Sequence, residues 1–268
     1  MPVKGVILAA GYGSRFLPVT RVVPKELLPI VDRPAIDLVV QELVEAGVED
    51  LLIITSRRKK VLDDWFDRDP ELEAKFAPER LGVPGVRVAF VRQAEMRGTG
   101  HALLTAKAFV GSDPFLVAFP DDLFGPPNCS AQLVAMYERT GCSVLSVGDL
   151  TGQDVSRYGV VDAVAEADGV LRVRGMVEKP APGAEPSHLV SWGRYLYTPE
   201  VFPVLEAGFA SHAGGEFYAT DAISVLAERG RVVAAVVPSP RYDTGDRLGY
   251  LTTVVEHALA CRRARGCR

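Results

Sequence analysis

LAAGYGSRFLPVTRVVPKELLP, residues 8–29, is the stretch that most restricts the fold of this chain. The apolar residues 3–9 lead into it and predict a buried strand. Small residues follow directly, at Ala9, Ala10, Gly11 and Gly13. Residues without large side chains let backbone N–H groups come close to phosphate oxygens. The pattern therefore predicts a strand that opens into a phosphate-binding loop.

Two cations follow this loop. Arg15 carries a forked guanidinium that can hold two phosphate oxygens at once. Lys25 reaches the same loop if the chain doubles back at Pro18 and Pro24. A glycine-rich turn after a strand is often only structural, but the turn together with Arg15 and Lys25 favours a polyphosphate ligand.

The rest of the first half alternates between helical and strand patterns. Helices are predicted around residues 36–44 (with Gly47 as C-cap), 61–66, 102–109 and 131–140, and strands over 51–55, 86–91, 115–119 and 142–147. This βαβα order predicts a doubly wound, mostly parallel α/β sheet over residues 1–150. The second half has strand patterns at 158–163, 170–176 and 189–197, less helix, and a final helix at 246–263. We expect the two halves to share one sheet in a single domain, residues 1–268.

Composition restricts the kind of partner. The net charge is −4, so no overall positive field is available to hold nucleic acid or an anionic membrane. No run approaches the roughly 20 apolar residues of a membrane span, and the N-terminal apolar run breaks at Gly11. The four cysteines (Cys129, Cys142, Cys261 and Cys267) have no metal-ligand spacing, which favours structural thiols in a cytoplasmic protein.

A series of motifs follows the loop in order. They are VDRPAI (31–36), RQAEMRGTGHA (92–102), FPDDL (119–123), YGVVD (158–162), VEKP (177–180), GRYLY (193–197), GGEFYATDAI (214–223) and RYDTGDRLGYL (241–251). Together with LAAG-x-G-S-R and PKELLP, this series resembles the bacterial UTP–glucose-1-phosphate uridylyltransferases and, more broadly, the sugar nucleotidyltransferases. The resemblance covers nearly the whole chain. It implies a Rossmann-like nucleotide-diphospho-sugar transferase fold with a mixed sheet, and the Mg²⁺-dependent conversion of UTP and glucose 1-phosphate into UDP-glucose and pyrophosphate.

The resemblance divides the chain into a nucleotide-binding half, about 1–150, and a sugar-phosphate-binding half, about 151–268. In the first half it assigns the reading of uracil to Gln93, with the Gly98 backbone beside it. A primary amide can accept from the pyrimidine N3–H and donate to its O4. Thymine presents the same edge, so UTP and dTTP both remain open.

Asp121 follows a predicted strand, at the edge where a doubly wound sheet binds its ligands. Carboxylate oxygen is a ligand that Mg²⁺ prefers, and the resemblance implies that Asp121 and Asp243 hold this ion. Asp122 points to the opposite side of an extended chain and is not expected to join them. Asp246 is expected to cap the last helix, with Arg247 in solvent.

In the second half the resemblance implies that Glu178 and Gly159 contact the hexose and that Lys179 holds its 1-phosphate. Arg15, Lys25 and Lys179 are therefore the expected catalytic cations. His101 is expected to support the turn around Gly98 rather than to transfer protons.

This chain departs from the family at residues 217–219, where Phe, Tyr and Ala replace the usual Ile, Gln and Leu. This segment lies towards the sugar, so a sister enzyme that uses another hexose 1-phosphate or dTTP is the first alternative. The stretch from 66 to 86 is shorter than usual, and part of that region packs at subunit contacts in the family. A homodimer or a homotetramer is expected.

Two other classes fit less well. A nicotinamide-dependent oxidoreductase could use Gly11, Gly13 and Asp32, but Arg15 lies near the third-glycine position and Pro18 where a helix should begin. A catalytically silent relative should lack metal carboxylates or phosphate-binding cations, and this chain retains all of them.

Overall fold

The computed structural model describes residues 2–76, 85–166 and 168–264. Its strands, in chain order, are β1 (Lys4–Leu8), β2 (Pro29–Ile30), β3 (Arg33–Pro34), β4 (Asp50–Thr55), β5 (Arg87–Arg92), β6 (Phe115–Ala118), β7 (Asp122–Phe124), β8 (Ser143–Asp149), β9 (Gly159–Ala165), β10 (Leu171–Glu178), β11 (Leu189–Tyr197), β12 (Val232–Val236) and β13 (Arg241–Asp243). Its α-helices are α1 (Ala35–Glu45), α2 (Val61–Phe66), α3 (Pro70–Glu73), α4 (Thr99–Leu104), α5 (Lys107–Val110), α6 (Cys129–Thr140), α7 (Val201–Ser211), α8 (Ala219–Glu228) and α9 (Arg247–Ala264).

Nine of these strands form one sheet, in the order β5-β4-β1-β6-β11-β8-β12-β10-β9. Strands β5, β4, β1 and β6 are parallel, and β12 is parallel to β8. Strand β11 runs antiparallel to both β6 and β8 and so joins the two halves. The expectation of one shared, mixed α/β sheet is confirmed.

Successive residues of the central strands pack on opposite faces of the sheet. In β4, Leu52 and Ile54 belong to one core cluster and Leu51 and Ile53 to the other. The first cluster lies against α4, α7 and α8, and the second against α1 and α6. Because both faces are covered, the central strands are apolar throughout rather than alternating. This is the doubly wound arrangement that the sequence predicts.

Several elements differ from the sequence-based expectation. The single helix expected over residues 102–109 is two short helices, α4 and α5. Helices α7 and α8 differ from the expectation that the second half has little helix before the final one. Pro203 and Gly208 interrupt the helical pattern of α7, although proline is tolerated in the first turn of a helix.

Within the described part of the chain, no helix is long and apolar enough to cross a membrane. Cys129 and Cys142 are buried free thiols, and burial raises the pKa of Cys129 to about 12. The side chains of Cys261 and Cys267, and residues 77–84 of the short 66–86 stretch, lie outside the described residues.

Candidate active site

The phosphate loop leaves β1 at the carboxyl edge of the parallel strands. Gly11 lines a cavity of about 410 Å³ at this edge. A Cβ added to Gly11 would meet no protein atom within 4 Å, so a side chain here would extend into free space beside the cavity. Gly13 has a φ of 66°, a left-handed conformation that favours glycine. Ala9 and Ala10 are buried. The loop is thus anchored at its start and open where a ligand would approach.

A buried ion pair that the sequence did not reveal lies beneath this loop. Lys59 donates to the Ala9 carbonyl at 2.7 Å and to Glu26 Oε1 at 2.7 Å. The side chains of Lys59 and Glu26 are 6 % and 1 % exposed. Burial lowers the pKa of Lys59 below its ordinary value, against the opposing effect of Glu26. This pair connects the end of β1 to the segment that carries Lys25.

Lys25 and Asp121 contact each other directly. Lys25 Nζ lies 2.5 Å from Asp121 Oδ2. Burial alone would lower the pKa of Lys25, but the carboxylates of Asp121 and Glu26 outweigh it, and the pKa is raised. Burial would likewise raise the pKa of Asp121, but Lys25 lowers it. Both groups are therefore charged at neutral pH.

Asp243 and Arg15 join Asp121 around Gly245. Strand β13 pairs with β7 so that Asp243 lies opposite Asp122, and Thr244 donates to the Asp121 carbonyl through both N (2.8 Å) and Oγ1 (3.0 Å). A Cβ on Gly245 would lie 2.9 Å from Asp243 Oδ1, 3.1 Å from Asp121 Oδ2 and 3.3 Å from Arg15 Nη1. Two carboxylate oxygens thus approach one point from chain positions that are far apart in sequence.

This arrangement fits a divalent cation that takes only part of its shell from protein. Among the described residues, no group of three or more His, Cys, Asp or Glu could hold a metal ion. Mg²⁺ commonly takes one or two carboxylates and completes its shell with water and substrate phosphates. Asp122 pairs with Arg241 at 2.5 Å, and the same Arg241 Nη2 lies 3.4 Å from Asp243 Oδ2.

Another buried ion pair fixes the position of this aspartate segment. Arg194 in β11 is fully buried and pairs with Glu42 of α1 through Nη2 at 2.6 Å and Nε at 3.0 Å. The same Nη2 donates to the Asp122 carbonyl at 3.0 Å. Arg194 belongs to the GRYLY motif, but its partner is 152 residues away in sequence, so the pattern gave no sign of the contact.

Gln93 is only 4 % exposed and follows the carboxyl end of β5. Its Nε2 donates to the Gly98 carbonyl at 3.0 Å and lies 3.1 Å from His101 Nδ1. His101 supports this turn, as expected, and stacks on Phe209. Both N–H groups of this buried amide therefore have partners within the protein. Only Oε1 remains available to a ligand.

Residues of the segment 217–219 lie in different surroundings: Phe217 packs in the core, and Tyr218 lines the cavity. Phe217 is buried, its backbone N donates to Arg97 O at 2.9 Å, and its carbonyl accepts from Gly100 N at 2.9 Å. Gly98 has no room for a side chain, since a Cβ would lie 2.3 Å from the Phe217 carbonyl oxygen. Tyr218 lines the cavity, and its hydroxyl donates to Glu216 Oε2 at 2.7 Å. That hydrogen bond raises the pKa of Tyr218 to about 12.

The expected sugar-phosphate residues lie beside this cavity rather than in its wall. Lys179 has a φ of 47°, a 60 % exposed side chain, and an Nζ that lies 3.7 Å from Glu178 Oε1. Its Nζ also lies 6.0 Å from the centre of the Tyr218 ring. A Cβ on Gly159 would lie 2.1 Å from Met176 Cε and 3.0 Å from Glu178 Oε2, so these two side chains pack directly against the glycine.

The structure therefore gathers the predicted residues into two neighbouring groups. Ala10, Gly11, Lys25, Gln93, Gly98 and Asp121 line the cavity. Arg15 and Asp243 adjoin it at Gly245, while Gly159, Glu178 and Lys179 form a second group near Tyr218. Asp246 caps α9 by accepting from Gly249 N at 2.9 Å, as expected. Arg247 is exposed but not free, because it donates to the carbonyls of Arg15 and Leu17 and so secures the phosphate loop.

A family model described as nucleotidyl transferase matches residues 4–257, which include every residue of both groups. The chain belongs to this family. Members of this family align with the chain in sequence over almost their whole length.

A UTP–glucose-1-phosphate uridylyltransferase of Staphylococcus epidermidis is 40 % identical, and the match covers 96 % of this chain and 92 % of the relative. The protein of the same name from Bacillus subtilis is 39 % identical, and the match covers 98 % of this chain and 93 % of the relative.

Solved structures agree with this assignment. A UDP-glucose pyrophosphorylase in complex with UDP-glucose has a TM-score of 0.88 and 37 % identity, and the match covers 97 % of this chain and all of that one. A UTP-bound enzyme from Acinetobacter baumannii has a TM-score of 0.86 and 33 % identity, with 97 % and 94 % covered.

Proposed function

We propose that this protein transfers the uridylyl group of UTP to glucose 1-phosphate, giving UDP-glucose and pyrophosphate. The observation that carries the proposal is the convergence of Lys25, Asp121, Asp243 and Arg15 beside a loop with open space at Gly11. Relatives that share about two-fifths of the sequence carry the corresponding name. Family membership and site geometry support the same chemistry.

Asp121 and Asp243 would hold Mg²⁺. Bound there, the ion would supply positive charge to the phosphate oxygens without any proton transfer. The contact between Lys25 and Asp121 places a second positive charge at the same position.

The reaction needs charge stabilisation more than acid–base catalysis. The nucleophile is a phosphate oxygen of the sugar phosphate and is already anionic. The barrier comes from bringing anions together and from the charge on the α-phosphate and the departing pyrophosphate. Lys179 holds the sugar phosphate, Lys25 neutralises the reacting phosphates, and Arg15 with the loop N–H groups holds the pyrophosphate. The attack is in line at the α-phosphorus, without a covalent intermediate.

Gln93 determines which base is accepted, and Tyr218 contributes to which hexose is accepted. Gln93 Oε1 accepts from the pyrimidine N3–H, which leaves O4 to a backbone donor near Gly98. The Tyr218 hydroxyl is already bonded to Glu216, so Tyr218 offers the sugar a ring rather than a donor. An apolar wall discriminates by only about 1–3 kcal/mol. Glucose 1-phosphate is therefore accepted through Glu178 and Gly159, but other hexose 1-phosphates are rejected only weakly.

The test is a matrix of initial rates of pyrophosphate release, with UTP, dTTP, ATP and GTP against glucose, galactose, mannose and 2-deoxyglucose 1-phosphates. The expected best pair is UTP with glucose 1-phosphate. A higher kcat/KM for dTTP, or for another hexose, would replace this assignment by a sister activity of the same family.

A further inference from the structure

A second, basic cavity adjoins the nucleotide cavity. It measures about 660 Å³, and its wall contains Arg21, Arg57 and Arg58. It shares Tyr12, Gln93 and Met96 with the nucleotide cavity, whereas Lys25 and Asp121 line only the latter. The two cavities are therefore neighbours with separate charged groups.

The three guanidinium groups are not neutralised by the protein. No Asp or Glu is among the described residues that line this cavity. Over the ranges 2–76, 85–166 and 168–260, none of the three forms an ion pair with a carboxylate, whereas Arg87, Arg194 and Arg231 all do. The chain as a whole carries a net charge of −4, so this local excess of positive charge does not reflect a generally basic surface.

The fold brings these arginines together from two segments. Arg57 and Arg58 follow the carboxyl end of β4, the edge at which parallel strands bind ligands. Arg21 ends a short 3₁₀ turn in the loop after Gly13. The Arg58 guanidinium lies 5.3 Å from the centre of the Tyr12 ring, and Tyr12 is 57 % exposed between the two cavities. Stacking on Tyr12 holds Arg58 against the wall that the cavities share.

We propose that this cavity binds a chain of phosphate groups beside the nucleotide. Guanidinium groups pair with two phosphate oxygens at once, and three of them offset most of the negative charge of a triphosphate. The inference rests on the proposed function of the neighbouring cavity. Such a chain has two sources: the terminal phosphates of the nucleotide substrate, where they reach beyond Arg15 and the loop N–H groups, or a separate polyphosphate molecule bound next to the nucleotide.

The probe is inorganic tripolyphosphate, titrated calorimetrically into the full chain without metal, so that no turnover occurs. The variants are Arg57→Ala/Arg58→Ala and, from the other segment, Arg21→Ala. The matched control is Arg139→Ala/Arg229→Ala, which removes two exposed arginines from the ends of α6 and α8. We expect binding by the wild type and the control, and affinity at least about tenfold weaker in Arg57→Ala/Arg58→Ala. Arg21→Ala should change affinity in the same direction.

Repeating the titration with protein saturated by UTP identifies the source. Binding that persists and still requires the arginines supports a separate polyphosphate. Binding that UTP abolishes, together with weaker UTP binding by the arginine variants, supports the end of the substrate. The proposal is overturned if the wild type does not bind tripolyphosphate, or if folded arginine variants bind it as the wild type does. Pyrophosphate release by the same wild-type preparation tests the proposed function separately.

Discussion

On the nucleotide side of the crevice, Lys25 and Asp121 form a partly buried pair that rests on two buried ion pairs, whereas Glu178 and Lys179 on the sugar-phosphate side are more exposed. The Lys25–Asp121 contact is 2.5 Å long between side chains that are 19 % and 24 % exposed. The Glu178–Lys179 contact is 3.7 Å long, and Lys179 is 60 % exposed. Lys59–Glu26 and Arg194–Glu42 support the first group from below, through contacts shorter than 3 Å.

This difference in burial suits two different tasks: stabilising charge in the reaction and recognising the sugar. Groups that stabilise developing charge act best when their positions are fixed before the substrate binds. Groups that recognise one of several similar sugars need only enough contacts to prefer it. We infer that the nucleotide side determines whether transfer occurs, and that the sugar side determines which acceptor is used.

Asp121→Asn gives the largest expected effect on activity. The substitution keeps the shape of one proposed metal ligand but removes its charge, so kcat should fall by about 1,000-fold, corresponding to several kcal/mol of lost charge stabilisation. Initial rates of pyrophosphate release measure this. Asp113→Asn, just before the start of β6, is the matched control and should leave kcat unchanged. A folded Asp121→Asn protein with near-wild-type activity would remove Asp121 from the metal site.

Lys25→Ala and Lys179→Ala should separate the two sides kinetically. Lys25→Ala should lower kcat about 100-fold to 1,000-fold with little change in the KM for glucose 1-phosphate. Lys179→Ala should mainly raise that KM, by about 10-fold to 100-fold, because a hydrogen-bonded charge is lost at the acceptor. If Lys25→Ala changed only the KM for the sugar phosphate, the two lysines would have been assigned to the wrong substrates.

The substitution Lys59→Met tests how much the buried Lys59–Glu26 pair contributes to the stability of the protein. Removing one partner of a buried pair leaves Glu26 uncompensated, so the free energy of unfolding should fall by about 3–5 kcal/mol. Arg174→Met, which breaks the exposed pair with Asp162 on the sugar side, should cost at most about 1 kcal/mol. Urea denaturation measures both. Equal losses in the two variants would contradict the difference between the sides.

The sequence predicted the parts of this site that consist of short contiguous motifs. The phosphate loop, the position of Asp121 after β6 and the Asp246 cap could be predicted, because each depends on residues that are adjacent in the sequence. The ion pairs Lys59–Glu26 and Arg194–Glu42 could not be predicted, because the two residues of each pair are 33 and 152 positions apart in the sequence. Strands β7 and β13 are three residues each, too short for periodicity to reveal, yet they place Asp243 near Asp121.

Tyr218 gives the smallest expected effect. Tyr218→Gln should change relative kcat/KM among the hexose 1-phosphates by about tenfold at most, because the ring contributes an apolar wall rather than a hydrogen bond. Tyr218→Phe, which removes only the hydroxyl bonded to Glu216, should leave the selectivity unchanged. If the wild type accepts glucose 1-phosphate alone and Tyr218→Gln changes nothing, Tyr218 does not contact the sugar.

The stereochemistry at the α-phosphorus tests the central claim most directly. The wild-type enzyme is supplied with one diastereomer of UTP that carries sulfur on the α-phosphate, together with glucose 1-phosphate, and the product is analysed by ³¹P NMR. A single in-line displacement, assisted by Lys25 and the two carboxylates, predicts a UDP-glucose analogue with inverted configuration. Retention would require two displacements and a covalent enzyme intermediate, and would contradict the mechanism.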